Sequence, residues 1–206
     1  MIWPLLAQNS TSLSGVARLG HRVTYMTKLG KDPFGQRIIH VLNENKIGNE
    51  FVAWSDTKKT GFMLKGRVSQ GDPDIFYFRA GSAASTLSVE DVEKIRFDEY
   101  SHIHLTGILP ALSESTRAAV NLMFDKARQA GLLITFDPNL RPQLWPSQDV
   151  MIQSINDMAS KADIVLPGTA EGKILMAVMI RKKSTLSIVT WEPKPLLRKS
   201  AAKALT

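Results

Sequence analysis

Hydrophobic and polar positions along this chain fall into two alternating patterns. In three stretches, mostly apolar side chains recur three and four positions apart, a spacing that places them on one face of a helix. These stripes are Phe34, Ile38, Val41 and Leu42; Thr116, Val120, Met123, Phe124 and Ala127; and Met151, Ile152, Ile155, Met158 and Ala159. A residue suited to cap a helix precedes each stripe, at Asp32, Ser113 and Ser147. The pattern therefore predicts three amphipathic helices that begin after these residues.

Uninterrupted apolar runs lie between the helices. They include LLITF at 132–136 and DIVL at 163–166, and HIHLTGI at 102–108 predicts a further strand. Runs without polar alternation are typical of parallel strands covered on both faces, and strands that alternate with helices form α/β sheets. The sequence therefore predicts an α/β fold with a doubly wound, mainly parallel sheet and helices on both faces.

A different pattern occupies residues from about 50 to 80. Short β-like pieces, FVAW, GFMLKGRV and IFYFRA, are separated there by the turn-prone residues Ser55, Asp56, Gly71, Asp72 and Pro73. We expect these pieces to form a small antiparallel sheet beside the main domain.

The positive charge of the chain is concentrated at one end. The formal net charge is +7, but residues 1–172 hold 18 basic and 18 acidic side chains, whereas residues 173–206 hold 8 and 1. We therefore divide the chain into a domain over 1–172 and a basic tail over 173–206. Nucleic-acid interfaces usually combine a basic folded face with aromatic or amide side chains, and this tail offers Trp191 alone. The sequence thus predicts no specific nucleic-acid partner.

Composition narrows the class of protein further. With 206 residues, 44% of them hydrophobic and 22% charged, the chain resembles an ordinary globular protein. No apolar run approaches the roughly 20 residues of a membrane helix, and the opening MIWPLLAQ lacks the features of a secretory signal. The absence of cysteine fits a reducing compartment. We expect a cytoplasmic protein with no membrane partner.

Three polar side chains follow the strand LLITF, namely Asp137, Asn139 and Arg141. Ligands of parallel α/β sheets bind beyond the carboxyl ends of the strands. The planar fork of Arg141 matches a carboxylate or phosphate, and Asp137 with Asn139 could orient it or bind a hydroxylated ligand. The spacing alone equally allows a solvated turn, because Asp-Pro commonly starts one.

The predicted small antiparallel sheet, at about residues 50–80, offers a second group of candidates. Tyr77 and Arg79 lie two positions apart, so on a strand they share one face. A phenol beside a guanidinium suits an acidic, polyhydroxylated ligand, whereas the alternative is an ordinary exposed sheet face.

Two further candidates have simple alternatives. Glu171, at the head of a helix after DIVLP, could hold a hydrated metal ion or only complement the helix dipole. His102 and His104 share a strand face, but no third metal ligand lies at a suggestive spacing.

Five strings together resemble the ribokinase-like (PfkB-type) carbohydrate kinases, and within them the 2-keto-3-deoxygluconate kinases. The resemblance covers about residues 16–175. The strings are ARLGHRVTYMTKLGKDPFGQ (17–36), GDPDIFYFRAGSAASTLSVEDV (71–92), HLTGI (104–108), TFDPNLRPQLW (135–145) and ADIVLPGTAEG (162–172).

The resemblance implies a ribokinase-like domain with a small β-sheet lid that uses ATP and Mg²⁺ to phosphorylate a sugar-acid hydroxyl, here 2-keto-3-deoxygluconate to its 6-phosphate. It implies that Tyr77 and Arg79 reach the sugar acid from the lid and that Arg141 binds its carboxylate or the transferring phosphate. Glu171 resembles the acidic end of an N-x-x-E motif that holds Mg²⁺ through water, although Gly168 replaces the usual Asn. Lids of this family often pair between subunits, so a homo-oligomer through the lid is expected.

The chain departs from the family pattern near both ends. The first glycine-glycine-x-x-x-Asn signature is absent, and its Asn position falls on Thr11. No GAGD segment, which supplies the anion hole and the Asp general base in the family, occurs in the sequence. We therefore expect a chain truncated at both ends, through frame disruption or misassigned boundaries, with no catalytic residue of its own and little kinase activity. The alternative is a non-catalytic remnant or sugar-acid-binding fragment.

Overall fold

The computed structural model describes residues 8–66 and 75–182. Its α-helices are α1 (Gln8–Arg18), α2 (Pro33–Glu44), α3 (Val89–Val92), α4 (Glu114–Gln129), α5 (Gln148–Ser160) and α6 (Thr169–Lys182). Its strands are β1 (Thr27–Gly30), β2 (Val52–Ser55), β3 (Phe62–Lys65), β4 (Ile75–Phe78), β5 (His102–Thr106), β6 (Leu133–Asp137) and β7 (Ile164–Val165). Short 3-10 turns lie at Ala83–Thr86, Phe97–Glu99, Leu109–Ala111 and Pro142–Leu144.

The three predicted helices begin where the sequence places them. The side chains of Asp32, Ser113 and Ser147 accept hydrogen bonds from the backbone N–H groups of Gly35, Thr116 and Val150, at the start of α2, α4 and α5 respectively. Each bond satisfies one N–H group that has no partner inside its helix. The capping prediction is therefore confirmed at all three positions.

A three-stranded parallel sheet organises the main core. Its order is β5-β6-β7, so β6 pairs with a parallel strand on each side. Ile134 and Phe136 of β6 are fully buried, and the ring of Phe136 meets that of Phe124 on α4 edge to face at 5.6 Å. The apolar run LLITF thus supplies the centre of the sheet, as predicted.

A second parallel pair corrects one expectation. The segment FVAW was expected in the small antiparallel sheet, but Val52–Ser55 pairs in parallel with Thr27–Gly30, from Thr27 opposite Val52 to Gly30 opposite Ser55. The cause is α2, which lies between β1 and β2 and makes the three elements a βαβ unit, in which the strands must run parallel. Only the other two pieces remain in the antiparallel sheet.

That antiparallel sheet is the hairpin of β3 and β4, which we call the lid. Phe62 lies opposite Phe78, and Met63 opposite Tyr77. The rings of Phe62 and Phe78 stack at 4.7 Å, and Phe34 of α2 stacks on Phe62 at 5.0 Å. This stack attaches the lid to the body of the protein. The expected lid residues 67–74 lie outside the described residues.

Asp32 joins the start of the lid to helix α2. Its two carboxylate oxygens accept hydrogen bonds from Gly35 N–H at 2.9 Å and from Thr60 N–H at 2.8 Å. The Thr60 hydroxyl in turn accepts from Gly30 N–H at 2.9 Å. Gly30 is required here, because a Cβ on it would lie 2.6 Å from the Lys58 carbonyl oxygen and 2.7 Å from Thr60 N.

The described part of the basic tail is helical. α6 continues through residues 172 and 173 to Lys182, so the step in charge falls inside a helix. The division of the chain at this step stays a prediction, and residues 183–206 of the tail lie outside the described residues. None of the helices over 8–66 and 75–182 combines the length and apolar character needed to cross a membrane.

We predict that Asp32→Asn lowers the free energy of unfolding by about 1–2 kcal/mol at pH 7, since the variant loses a charged acceptor for two buried N–H groups. Burial alone would raise the pKa of Asp32, but the hydrogen bonds from Thr60 and Gly35 outweigh it and lower the pKa. The stabilisation is therefore present above the unfolded pKa, near pH 4, and is lost as the pH falls below it.

Denaturant unfolding at pH 7 and at pH 3 measures this difference. The matched control is Asp56→Asn, because the Asp56 carboxylate is 77% exposed and its ion pair within 8–66 and 75–182 is with Lys31 at the surface. We expect a loss of about 0.5 kcal/mol or less there. Equal losses for the two variants at pH 7 would contradict the role of Asp32.

Candidate functional site

The carboxyl ends of β5 and β6 meet at one edge of the sheet. Thr106 lies opposite Asp137 in the strand register, and Gly107 N–H donates to the Asp137 carbonyl at 2.9 Å. A Cβ on Gly107 would clash with the Pro138 carbonyl and lie 2.6 Å from Ile155 Cδ1. Gly107 therefore allows the backbone after β5 to approach the loop 137–141, which we call the β6 loop.

Asp137 and Asn139 form a turn within the β6 loop. Asp137 Oδ1 accepts a hydrogen bond from Asn139 N–H at 3.1 Å, and Asn139 adopts a φ of +40°. Asn tolerates this left-handed conformation better than most residues, because its short polar side chain bonds locally. The turn interpretation of Asp-Pro thus describes the backbone, while contact of either side chain with a ligand stays a prediction.

Glu171 connects the β6 loop to helix α6. Its Oε1 accepts from Leu140 N–H at 2.7 Å and its Oε2 from Gly168 N–H at 2.8 Å. The second bond satisfies an N–H group at the beginning of the helix, which is the helix-end role that the sequence offered for Glu171. The first bond was not foreseen, because it spans 31 positions of the chain.

Arg141 bonds back to the same loop residue. Its Nη1 donates to the Leu140 carbonyl at 2.6 Å. Leu140 is also buried, with 7% of its surface exposed, as part of the main core. The backbone that directs Arg141 is therefore fixed through Leu140.

The inner face of the lid carries the second predicted group. The guanidinium of Arg79 lies 4.9 Å from the centre of the Tyr77 ring, a cation–π contact. Its Nη2 contacts Met63 Sδ at 3.8 Å, and its Nη1 is buried without a hydrogen-bond partner among the described residues. Arg79 thus presents a desolvated donor that the described part of the protein does not use.

The structure brings the lid and the sheet edge together at Arg79. Burial of the guanidinium lowers the pKa of Arg79; Tyr77 and Tyr25 oppose this shift, and the positive charge of Arg141 adds to it. Arg79 and Arg141, 62 positions apart, are thus close enough for their charges to interact. Like charges within electrostatic range disfavour each other, and an anion bound near both would offset this cost.

Tyr25 is a member of this cluster that the sequence did not identify. Burial raises the pKa of its hydroxyl, although a hydrogen bond with Thr27 and the charge of Arg79 partly oppose the shift. Tyr25 stands just before β1, and no local spacing relates it to Arg79. Only the tertiary fold brings the two side chains within electrostatic range.

The histidine pair on β5 lies elsewhere on the sheet. His102 Nε2 and His104 Nδ1 contact the same hydroxyl, Thr135 Oγ1, at 2.8 and 2.9 Å. Burial lowers the pKa of both rings, and the charge of His102 adds to the shift at His104. One nitrogen of each ring is therefore hydrogen-bonded to the Thr135 hydroxyl of β6.

Side chains that could bind a metal ion do not cluster in the described part of the chain. Over 8–66 and 75–182, no three or more His, Cys, Asp or Glu side chains come together in this way. Both oxygens of Glu171 already accept backbone N–H bonds. The described residues therefore form no ready-made cage of three or more side-chain ligands, whereas Mg²⁺ commonly uses one or two carboxylates with water and phosphates.

Comparison with known proteins decides the family. A model described as pfkB family carbohydrate kinase matches residues 9–189. The chain belongs to the pfkB family of carbohydrate kinases. The 2-dehydro-3-deoxygluconokinase of Bacillus subtilis (strain 168) is 40% identical over 172 residues, which are 83% of this chain and 53% of that protein.

Solved structures of pfkB-type proteins have the same fold. The crystal structure of a PfkB protein from Polaromonas sp. JS666 matches with a TM-score of 0.78 at 40% identity, over 82% of this chain and 57% of that one. The crystal structure of fructokinase with bound ATP from Xylella fastidiosa matches with a TM-score of 0.77 at 22% identity, over 85% and 55%. The ribokinase-like α/β fold is therefore confirmed, and the chain spans about half the length of these relatives.

Proposed function

We propose that this chain builds the sugar-acid side of a carbohydrate kinase site, where a hydroxyl of 2-keto-3-deoxygluconate receives a phosphoryl group from ATP. The observation that carries the proposal is the buried Nη1 of Arg79, which has no hydrogen-bond partner among the described residues, while Tyr77 and Met63 hold the rest of the guanidinium; the electrostatic effect of Arg141 on Arg79 supports it. The 40% identity to a protein named 2-dehydro-3-deoxygluconokinase supports the choice of sugar acid.

The two guanidinium groups are suited to one anion. A protein gains nothing by holding two positive charges together in a partly buried position, because each disfavours the charge of the other. A carboxylate placed between them removes this cost and accepts charge-assisted hydrogen bonds from both. The buried Nη1 of Arg79 would gain the partner that it lacks among the described residues.

The remaining candidates fit a polyhydroxylated ligand. Tyr77 holds the guanidinium of Arg79 through its ring, and we propose that its hydroxyl faces the sugar. Asp137 and Asn139, on the β6 loop beside Arg141, would accept from and donate to sugar hydroxyls. The thioether of Met63, opposite Tyr77, offers an apolar surface at the same place.

ATP as the phosphoryl donor, with Mg²⁺, belongs to the same proposal. The ATP in the structure of fructokinase from Xylella fastidiosa supports the choice of donor. Mg²⁺ offsets negative charge on the phosphates in such reactions. Among the described residues, we propose only that Glu171 contacts a hydrated ion through water, since its oxygens already accept backbone bonds.

The outer face of the lid supports a further part of the proposal, self-association through the lid. Four large apolar side chains share this face, because Phe62 and Leu64 alternate with Met63 on β3 and lie opposite Phe78 and Phe76 on β4. Phe34 of α2 stacks on Phe62 and covers the end of the face nearest the body, so the open part of the face consists of the other three side chains. Leu64, Phe76 and Phe78 are 51%, 58% and 50% exposed. A second copy of the same hairpin would cover them.

We predict that Arg79→Ala and Arg141→Ala each weaken binding of 2-keto-3-deoxygluconate by about tenfold or more, because a hydrogen bond to a charged group contributes about 1.5–3 kcal/mol. Isothermal titration calorimetry of the chain measures the affinity. The matched control is Arg37→Ala, since Arg37 lies on the surface of α2 and is outside the proposed site; its ion-pair partner in the described part of the chain is Glu44, at 4.0 Å.

Unchanged affinity in both arginine variants would overturn the proposed site. Equal affinity of the chain for the sugar acid and for fructose, a ketose without a carboxylate, would overturn the proposed ligand class.

The expectation of little turnover by these 206 residues stays a prediction. We expect the chain mixed with 2-keto-3-deoxygluconate, ATP and Mg²⁺ to release ADP far more slowly than an ordinary sugar kinase, because phosphoryl transfer depends on preorganised anion stabilisation and the sequence contains no GAGD segment. A coupled ADP-release assay measures the rate. Turnover comparable to that of a complete sugar kinase would contradict the expectation.

We predict that Phe76→Glu shifts the chain from dimer to monomer, because a carboxylate on the outer lid face cannot be buried in an apolar interface. Sedimentation velocity over a range of concentrations measures the change. Leu19→Glu is the control, since Leu19 is 78% exposed and is not part of the lid. A chain that is monomeric before substitution would rule out the lid interface.

A further inference from the structure

The carboxylate of Glu171 is placed between two segments that are distant in sequence. Glu171 is the third residue of α6, and its Oε2 accepts from Gly168 N–H at 2.8 Å, which fixes the orientation of the carboxylate against the start of its own helix. The other oxygen, Oε1, accepts from Leu140 N–H at 2.7 Å. One charged group therefore ties the start of α6 to the β6 loop.

The backbone of Leu140 links Glu171 to Arg141. On one side of the Leu140 Cα, the N–H group donates to Glu171; on the other side, the carbonyl accepts from Arg141 Nη1 at 2.6 Å. The side chain of Leu140 is buried in the core. The direction of the Arg141 guanidinium thus depends on a residue whose N–H group Glu171 holds.

The β6 loop needs such a restraint. Asn139 adopts a φ of +40°, in the left-handed region that costs a non-glycine residue roughly 1 kcal/mol. The N–H groups of Asn139 and Leu140 are held one after the other, the first by Asp137 Oδ1 at 3.1 Å and the second by Glu171 Oε1. Two carboxylates therefore maintain the conformation from which Arg141 extends.

We propose that Glu171 is a positioning residue for the sugar acid: through the Leu140 backbone it holds Arg141 in the orientation that binds the carboxylate, and it needs neither nucleotide nor metal to do so. This inference rests on the proposed function. It differs from the role of contacting hydrated Mg²⁺, which affects only steps that contain the metal.

The test measures binding of 2-keto-3-deoxygluconate to the chain by calorimetry, in EDTA and without nucleotide. We expect Glu171→Ala to weaken binding by about tenfold, as for the loss of one charge-assisted hydrogen bond. Glu171→Gln retains one carbonyl acceptor, so it should recover part of the loss. Glu114→Ala is the matched control, since Glu114 is an exposed acid in the first turn of α4.

A double-mutant cycle with Arg141→Ala separates positioning from a general loss of structure. If Glu171 acts through Arg141, Glu171→Ala changes affinity less than about twofold once Arg141 has been replaced. A loss of the same size with and without Arg141 overturns the proposal. Full sugar-acid affinity of Glu171→Ala in EDTA also overturns the proposal. In that case the role of Glu171 in contacting hydrated Mg²⁺ would remain.

Hydrogen exchange at Leu140 N–H provides a second readout that does not require binding. We expect faster exchange of this amide in Glu171→Ala, with Ala127 of α4 unchanged. If the unmodified chain binds no sugar acid, the proposed function fails; unchanged exchange at Leu140 instead overturns the positioning role itself.

Discussion

The fold places the guanidinium groups of Arg79 and Arg141 within electrostatic range of each other, and each is attached to a different part of the structure. Arg79 is fixed on the lid by the ring of Tyr77 and by the aromatic stack of Phe34, Phe62 and Phe78. Arg141 is fixed at the sheet edge through Leu140.

Local signals in the sequence were sufficient for much of the fold. Helix starts at Asp32, Ser113 and Ser147 depend on a side chain and an N–H group three residues away, so they can be predicted from neighbours alone. The run LLITF gave the central strand for a similar reason. The expectation that Tyr77 and Arg79 share one side of the lid came from the period of a strand. Arg79 lies one residue past the end of β4, and its contacts with Tyr77 and Met63 place it on their side.

Features that depend on distant partners could not be predicted in this way. FVAW has the composition of a strand in any sheet, and its parallel pairing follows from β1, a short strand with one clearly apolar residue, Leu29. The bond from Leu140 to Glu171 and the approach of Tyr25 to Arg79 each join segments far apart in the chain. The types of these residues do not indicate which distant residue each of them will contact in the folded chain.

The attachment of the lid determines which parts of the site can move relative to each other. Thr60 is bonded to Asp32 and Gly30, and Lys59 accepts from Ala83 N–H at 2.7 Å, so the two strand ends nearest the body are clamped together. Bending of the hairpin is thereby confined to residues beyond this clamp. Arg79 would travel with such a motion while Arg141 stays with the sheet, so the separation between the two positive charges would change as the lid bends.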